Sequence, residues 1–206
     1  MKNSIYILLL VTVSLSIATA QTERGRWTVG AQVGNVSYRS SNSGPLSSRN
    51  TTVLLAPSGG YFIANNVAVG ASLPIYYGYY RSRYPTTSSF TPAEIKNTQI
   101  GLAPFIRAYI GSSKLRPFVN ATVGFTQQWY SSTNFNTTNQ VKNSDNFFTY
   151  GGAVGVAYFV NQNVSLDASL GYSGGEQRNT ADLLNGATTL PGSFGLNVGF
   201  RLFLGR

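Results

Sequence analysis

The last fourteen residues, Ser193 to Arg206, alternate between two kinds of side chain. Phe194, Leu196, Val198, Phe200, Leu202 and Leu204 share one parity, and Ser193, Gly195, Asn197, Gly199 and Arg201 the other, broken by Phe203. Successive side chains on a strand point to opposite faces, so this is one strand with an oily face and a small polar face. A run of about eleven residues exceeds the about five or six of a soluble strand and suits a tilted strand crossing a bilayer.

The same period recurs along the chain in eight segments. They are Trp27–Tyr38, Thr52–Ile63, Val67–Tyr79, Thr98–Ile110, Phe118–Tyr130, Phe147–Val160, Val164–Tyr172 and the terminal strand. The third sets Val67, Val69, Ala71, Leu73, Ile75, Tyr77 and Tyr79 on one face, and the seventh opposes Val164, Leu166, Ala168 and Leu170 to Ser165, Asp167 and Ser169. Connections sort into two classes. Those after segments two, four and six are short, at 64–66, 111–116 and 161–163. Those after one, three, five and seven are long and rich in Gly, Ser, Thr and Asn: Ser40–Thr51, Arg81–Asn97, Ser131–Asn146 and Ser173–Gly192. Short turns at one end and long loops at the other mark an up-and-down transmembrane barrel, and an even strand number puts both termini on the short-turn side. The expected fold is all-β, an eight-stranded antiparallel up-and-down transmembrane β-barrel.

Aromatics fit this frame as two belts, where amphipathic rings settle in a bilayer. Tyr77, Tyr79, Trp129, Phe148 and Tyr172 fall at the loop ends, and Trp27, Tyr61 and Tyr158 at the turn ends. Pro57, Pro74 and Pro104 interrupt the pattern, because proline removes a ladder donor, and are expected at bulges or kinks.

Met1-Lys2-Asn3, an apolar stretch from Ile5 to Leu15 and Ala18-Thr19-Ala20 compose a secretory signal peptide over 1–20, cleaved before Gln21, with one barrel domain over 21–206. No later stretch is long and apolar enough for a transmembrane helix. The exported chain has no cysteine, so a closed backbone ladder must take the place of disulfides. Net charge is +9 without any Lys/Arg run, which argues against nucleic acid and for an anionic membrane surface.

With the segments placed, the chain resembles the outer membrane protein β-barrel domain family and, more distantly, the small OmpX-like and OmpA-transmembrane-like barrels. The matching stretches are Gly60–Gly70, Pro104–Tyr109 and the terminal strand. The resemblance implies a bacterial outer-membrane location, insertion by the barrel-assembly machinery and a monomer among outer-membrane lipid. Many such barrels end on an aromatic residue, whereas Phe203 is followed here by Leu204-Gly205-Arg206.

Inward parity at the turn end collects Arg107, Asp167 and Arg201. These charges are expected to pair inside a lumen filled by side chains, as a structural cluster rather than a gate. The loop side carries Arg39, Arg49, Arg81, Arg83, Lys96, Lys142 and Arg178. Of these, Arg39, Arg81, Arg83 and Lys142 are candidate contacts to lipopolysaccharide phosphates, which suit guanidinium geometry. Catalysis is disfavoured: histidine is absent, and Glu94, Asp145, Glu176 and Asp182 are spread over three loops. Gly151-Gly152-Ala153-Val154-Gly155 lacks the lysine and helix of a phosphate loop. No catalytic, metal or cofactor site is expected. The reading is a non-enzymatic outer-membrane barrel with a structural or surface-interaction role in the envelope. A narrow pore or carrier would need the charge layer to open. A soluble lipocalin-like protein leaves the loop asymmetry unexplained.

Overall fold

The computed structural model describes residues 22–43, 46–85, 90–134, 139–177 and 188–205. The described chain is antiparallel β-structure. Its strands are β1 (Trp27–Ser43), β2 (Leu46–Ala64), β3 (Val67–Ser72), β4 (Ile75–Pro85), β5 (Phe90–Tyr109), β6 (Leu115–Asn134), β7 (Asn139–Phe159), β8 (Val164–Gln177) and β9 (Thr188–Leu204). Apart from β3 and β4, which do not pair with each other, sequence neighbours pair, and β1 closes on β9 from Trp27↔Leu204 to Gly34↔Asn197. Strands β3 and β4 share one position between β2 and β5, so nine segments make a ring of eight.

The expected third strand is thus cut at Leu73-Pro74, but its register is not. Ser58↔Ser72 and Leu55↔Ile75 lie on one diagonal, as do Ser72↔Ala103 and Ile75↔Ile100 on the other side. Neighbouring amides and carbonyls bridge the gap: Leu73 N donates to Pro57 O and Gly101 N to Pro74 O, both at 2.9 Å. Pro104 stays in register opposite Ala71. A true bulge sits elsewhere, between Gly34 and Ser37, where Asn35 takes φ of 49°. An asparagine tolerates that left-handed conformation better than most residues. The extra residue flips the strand, so outward parity passes from Val29 and Val33 to Val36 and Tyr38.

Outward Val, Leu, Ile and Phe residues form an exposed apolar band around the ring, including Leu102, Val123, Val154, Leu170 and Val198. Such a surface is unsuited to water and is what a lipid-facing barrel wall requires. Among the described residues no helix is long and apolar enough to cross a membrane, so crossing falls to the strands.

The long segments expected as loops are mostly strand. β5, β6 and β7 run 20, 20 and 21 residues, well past the aromatic ends of the apolar band. Here both faces are wet, so the hydrophobic alternation disappears while the ladder continues. Polar cross-strand contacts replace it, such as Gln127–Ser144 at 3.3 Å and Gln140–Ser131 at 3.2 Å. Arg178 and the proposed leader lie outside the described residues.

Val154 sits midway between Tyr150 and Tyr158 and is 60% exposed. Val154→Arg is expected to destabilise the barrel by about 2–4 kcal/mol, read from urea unfolding in lipid vesicles. Ser144→Arg, on the hairpin above the band, should change it by less than about 0.5 kcal/mol.

Candidate functional site: a plugged lumen below an open well

The lower lumen is closed by aromatic rings. Phe62, Tyr109, Phe159 and Phe203 come from the turn ends of β2, β5, β7 and β9, and Phe118 from the start of β6. Their centroids form a circuit: Phe62–Tyr109 at 6.1 Å, Tyr109–Phe159 at 6.3 Å, Phe159–Phe203 at 5.1 Å and Phe203–Phe62 at 6.0 Å, with Phe118 at 5.9 Å from Tyr109. Tilted rings at this spacing gain quadrupole attraction beyond the area they bury. Space for them comes from Gly155, where a Cβ would lie 2.6 Å from the Phe118 ring and 2.5 Å from Ala168 O.

Below the plug, residues 22–26 fold across the lower rim. Gly25 N donates to Phe62 O at 2.9 Å and Asn66 N to Thr22 O at 2.7 Å. Arg116 is 1% exposed. Its Nη1 donates to Thr22 Oγ1 at 2.6 Å, and its Cζ stands 4.5 Å from the Phe159 ring centroid. Arg26 donates to Asn163 Oδ1 and Phe203 O, both at 3.2 Å.

Above the plug lies the charge layer. Arg107 Nη1 donates to Asp167 Oδ2 at 2.6 Å, across the lumen from β5 to β8. Ser165 Oγ donates to Asp167 Oδ1 at 2.7 Å. Arg201 Nε stands 3.6 Å from the same Oδ2, an ion pair beyond hydrogen-bond reach. All three charged residues are 3% exposed or less. Arg107 Cζ also stacks 4.2 Å over the Phe118 ring centroid, which ties the layer to the plug. Over Arg107 and Arg201 opens a polar well of about 180 Å³, lined by Gln32, Asn120, Asn197 and several serines and glycines.

The wet outer wall above the band is cationic. Arg49 and Arg81 are direct cross-strand partners, with Glu94 opposite Arg81 on the next strand. Lys96 Nζ binds Glu94 Oε1 at 2.8 Å, and Tyr79 Oη donates to Glu94 Oε2 at 3.1 Å. The hydrogen bond from Lys96 holds the Glu94 carboxyl below its ordinary value, helped by Tyr79 and opposed by partial desolvation. Arg49 Cζ lies 6.0 Å over the Tyr38 ring. One tier lower, Ser131 pairs with both Lys96 and Lys142.

Arg107, Asp167 and Arg201 therefore meet in one layer. The outer cations do not form one group. The bulge at Asn35 puts Tyr38 on the outer face with Arg49, so Arg39, opposite Asn50, takes the lumen side of the mouth. Arg83 lies in β4 opposite Ser47 and Pro92, and its side chain is outside the described residues. Trp27, Tyr77, Trp129, Tyr158 and Tyr172 are exposed on the outer wall, with Tyr61, Tyr79 and Phe148 half-buried beside them. Gly151 and Gly155 face crowded backbone, while Gly152 meets only Asn120 O at 3.6 Å. The plug is what sequence reasoning missed. Phe62, Tyr109, Phe118, Phe159 and Phe203 all carry inward parity beside a rim turn or the terminus, and the break at Phe203 was its visible trace.

A closed antiparallel ring with an apolar outside and a filled lumen defines an integral outer-membrane β-barrel. The chain belongs to the outer membrane protein beta-barrel domain family, whose profile matches residues 5–201. Among solved structures it is similar to Neisserial surface protein A, at 20% identity and a TM-score of 0.52, covering 87% of this chain and 99% of that one. It is also similar to the N-terminal barrel domain of Pseudomonas aeruginosa OprF, at 18% identity and a TM-score of 0.45, covering 88% and 98%. A third is Ail, the attachment invasion locus protein of Yersinia pestis, at 15% and 0.46, covering 86% and 99%. No curated protein matches the sequence. The family places the chain in the bacterial outer membrane.

Asp167 is the sole buried acid among the described residues and faces two arginines. Asp167→Ala should cost about 3–5 kcal/mol, because it strands buried cations, as read from urea unfolding of the detergent-folded barrel. Phe159→Ala should cost a similar about 3–5 kcal/mol by opening a cavity in the plug.

Proposed function

We propose that the chain is a non-enzymatic barrel of the bacterial envelope that does not conduct and works through its upper, outward-facing wall. The observation that carries this reading is the continuation of paired strands past the aromatic ends of the apolar band, above a lumen closed by rings and an ion pair. A passage that narrow would have to displace several packed aromatics at once. A stiff, hydrophilic hairpin crown offers a surface for contact instead. The absence of histidine, the usual general base, supports a non-catalytic role.

The chemistry of that wall favours anionic partners. Like charges directly opposite on adjacent strands are unfavourable, yet Arg49 faces Arg81. Phosphate groups of lipopolysaccharide, at the height of the aromatic belt, would relieve that repulsion through bidentate contacts. Lys96 and Lys142 extend the same wall, and Arg83 and Arg39 border it on β4 and at the mouth. The same reading takes as its route the loss of 1–20 and, as the family resemblance implies, insertion as a monomer by the barrel-assembly machinery.

Two measurements test this. The wild-type barrel should give no stepwise conductance in planar bilayers, and steps abolished by Arg107→Gln would favour a narrow pore instead. Arg49→Ser combined with Arg81→Ser should lower the lipopolysaccharide that co-purifies with the barrel by about tenfold or more. Unchanged retention removes these arginines from the surface role.

A further inference from the structure

In the charge layer two arginines, Arg107 and Arg201, share one acid, Asp167. Among the described residues, Arg26, Arg107, Arg116 and Arg201 are buried against one buried acid, Asp167. Arg116 is held by carbonyls, Thr22 and the Phe159 face, and Arg26 by Asn163 and Phe203 O. Arg107 takes the direct hydrogen bond to Asp167 and reaches Asn120 Oδ1 at 3.4 Å. Arg201 is the residue left over. It is 2% exposed, and its Nε and Nη1 have no hydrogen-bond acceptor among the described residues.

Asp167 does not complete it. One carboxylate oxygen bonds Arg107 and the other Ser165, while Arg201 Nε stands 3.6 Å from the first and its Cζ 5.8 Å from the Phe105 ring centroid. A buried cation without hydrogen-bonded compensation is costly, and native interiors find it a partner. The nearest open volume is the well, whose floor Arg201 and Arg107 both line. At about 30 Å³ per water, about 180 Å³ holds roughly six waters, or a small anion with a few. Its wall adds neutral polar groups, Gln32, Asn120, Asn197, Ser72 and Ser169, and no carboxylate.

We propose that the floor of this well is a binding site for one small oxyanion, of the class of phosphate, seated on Arg201 and Arg107 from the mouth side. The anion balances the charge of the second arginine, as Asp167 balances the first. The site is separate from the outer arginines: Arg49 and Arg81 point away from the lumen, and neither lines the well. It requires no opening of the plug, because the anion enters and leaves from above.

The test is isothermal titration of inorganic phosphate into the detergent-folded barrel, at constant ionic strength set by a bulky organic anion. Saturable binding to one site is expected. Arg201→Met removes the excess cation and should weaken binding about tenfold or more. Ala153→Leu keeps both arginines but pushes bulk into the well and should weaken binding likewise; it decides the matter where Arg201→Met fails to show heat-modifiable mobility. Lys114→Ser, an exposed cation on the turn at the opposite rim, should leave the titration unchanged. No saturable heat with the wild type overturns the site. So does equal binding by the folded Arg201→Met or Ala153→Leu barrel, or a loss confined to Arg49→Ser, which would move the phosphate to the outer wall.

Discussion

A polypeptide in hydrocarbon must satisfy every backbone amide and carbonyl from within, and this constraint organises the molecule. The β1–β9 seam from Trp27↔Leu204 to Gly34↔Asn197 joins the first strand to the last and closes the ring over that length. The treatment of Pro74 shows how strict the requirement is. The segment loses regular strand geometry for two residues, yet β2 and β5 keep their registers on both sides and exchange bonds across the gap. A shift of one residue there would have turned the oily face of Ile75 and Tyr77 inward. Closure also fixes the interior, because a ring of eight leaves room for side chains and little else.

What fills that room follows from the position along the axis. Near the lower rim, rings pack, and arginines meet their faces and backbone carbonyls: Arg116 the Phe159 ring and Ser113 O, Arg107 the Phe118 ring. Aromatic faces accept a guanidinium without the full desolvation demand of a second buried charge. Higher up, the rings give way to Gln32, Asn120 and Asn197, and the lumen widens into a wet well. The charge layer sits at this boundary. Asp167 is thereby the partner of two arginines, and Arg107, stacked on Phe118 and lining the well, is where plug meets well.

The fold was legible because lipid on one side and a crowded lumen on the other enforce a two-residue period. Val164 to Tyr172 and Phe194 to Leu204 state it directly, and Asp167 beside Arg201 follows from strand adjacency. Arg107 joining them was legible from parity at the same height, not from pairing. Three features were not legible, each for a physical reason. The hairpin extensions are polar on both faces, so Arg81–Asn97 reads as loop although it pairs throughout its described length. The bulge at Asn35 inserts one residue without changing composition, so Arg39 appears to belong with Arg81. The plug obeys the alternation but inverts its meaning. Inward positions of an amphipathic strand read as polar, whereas a narrow, tightly packed end prefers Phe62, Tyr109 and Phe159 there.

The inverted face explains why the terminal strand is written as it is. Its inward series runs Gly195, Asn197, Gly199, Arg201, Phe203, from the mouth to the lower rim. Small residues face the well, the cation stands at the floor, and the ring closes the bottom. Gly199 marks the transition: a Cβ there would lie 2.3 Å from Ala31 O and 2.8 Å from the Gln32 side chain, so bulk is excluded just above Arg201. The neighbouring β8 repeats the order with Gly171, Ser169, Asp167 and Ser165. Two adjacent strands thus grade together from open and neutral to tight and charged. The polarity of the interior is a property of depth, and the outer wall is graded separately by contact with lipid and then water. A single strand therefore encodes two independent profiles on its two faces, which is why substitutions of equal chemistry at 201 and 202 would act on unrelated parts of the protein.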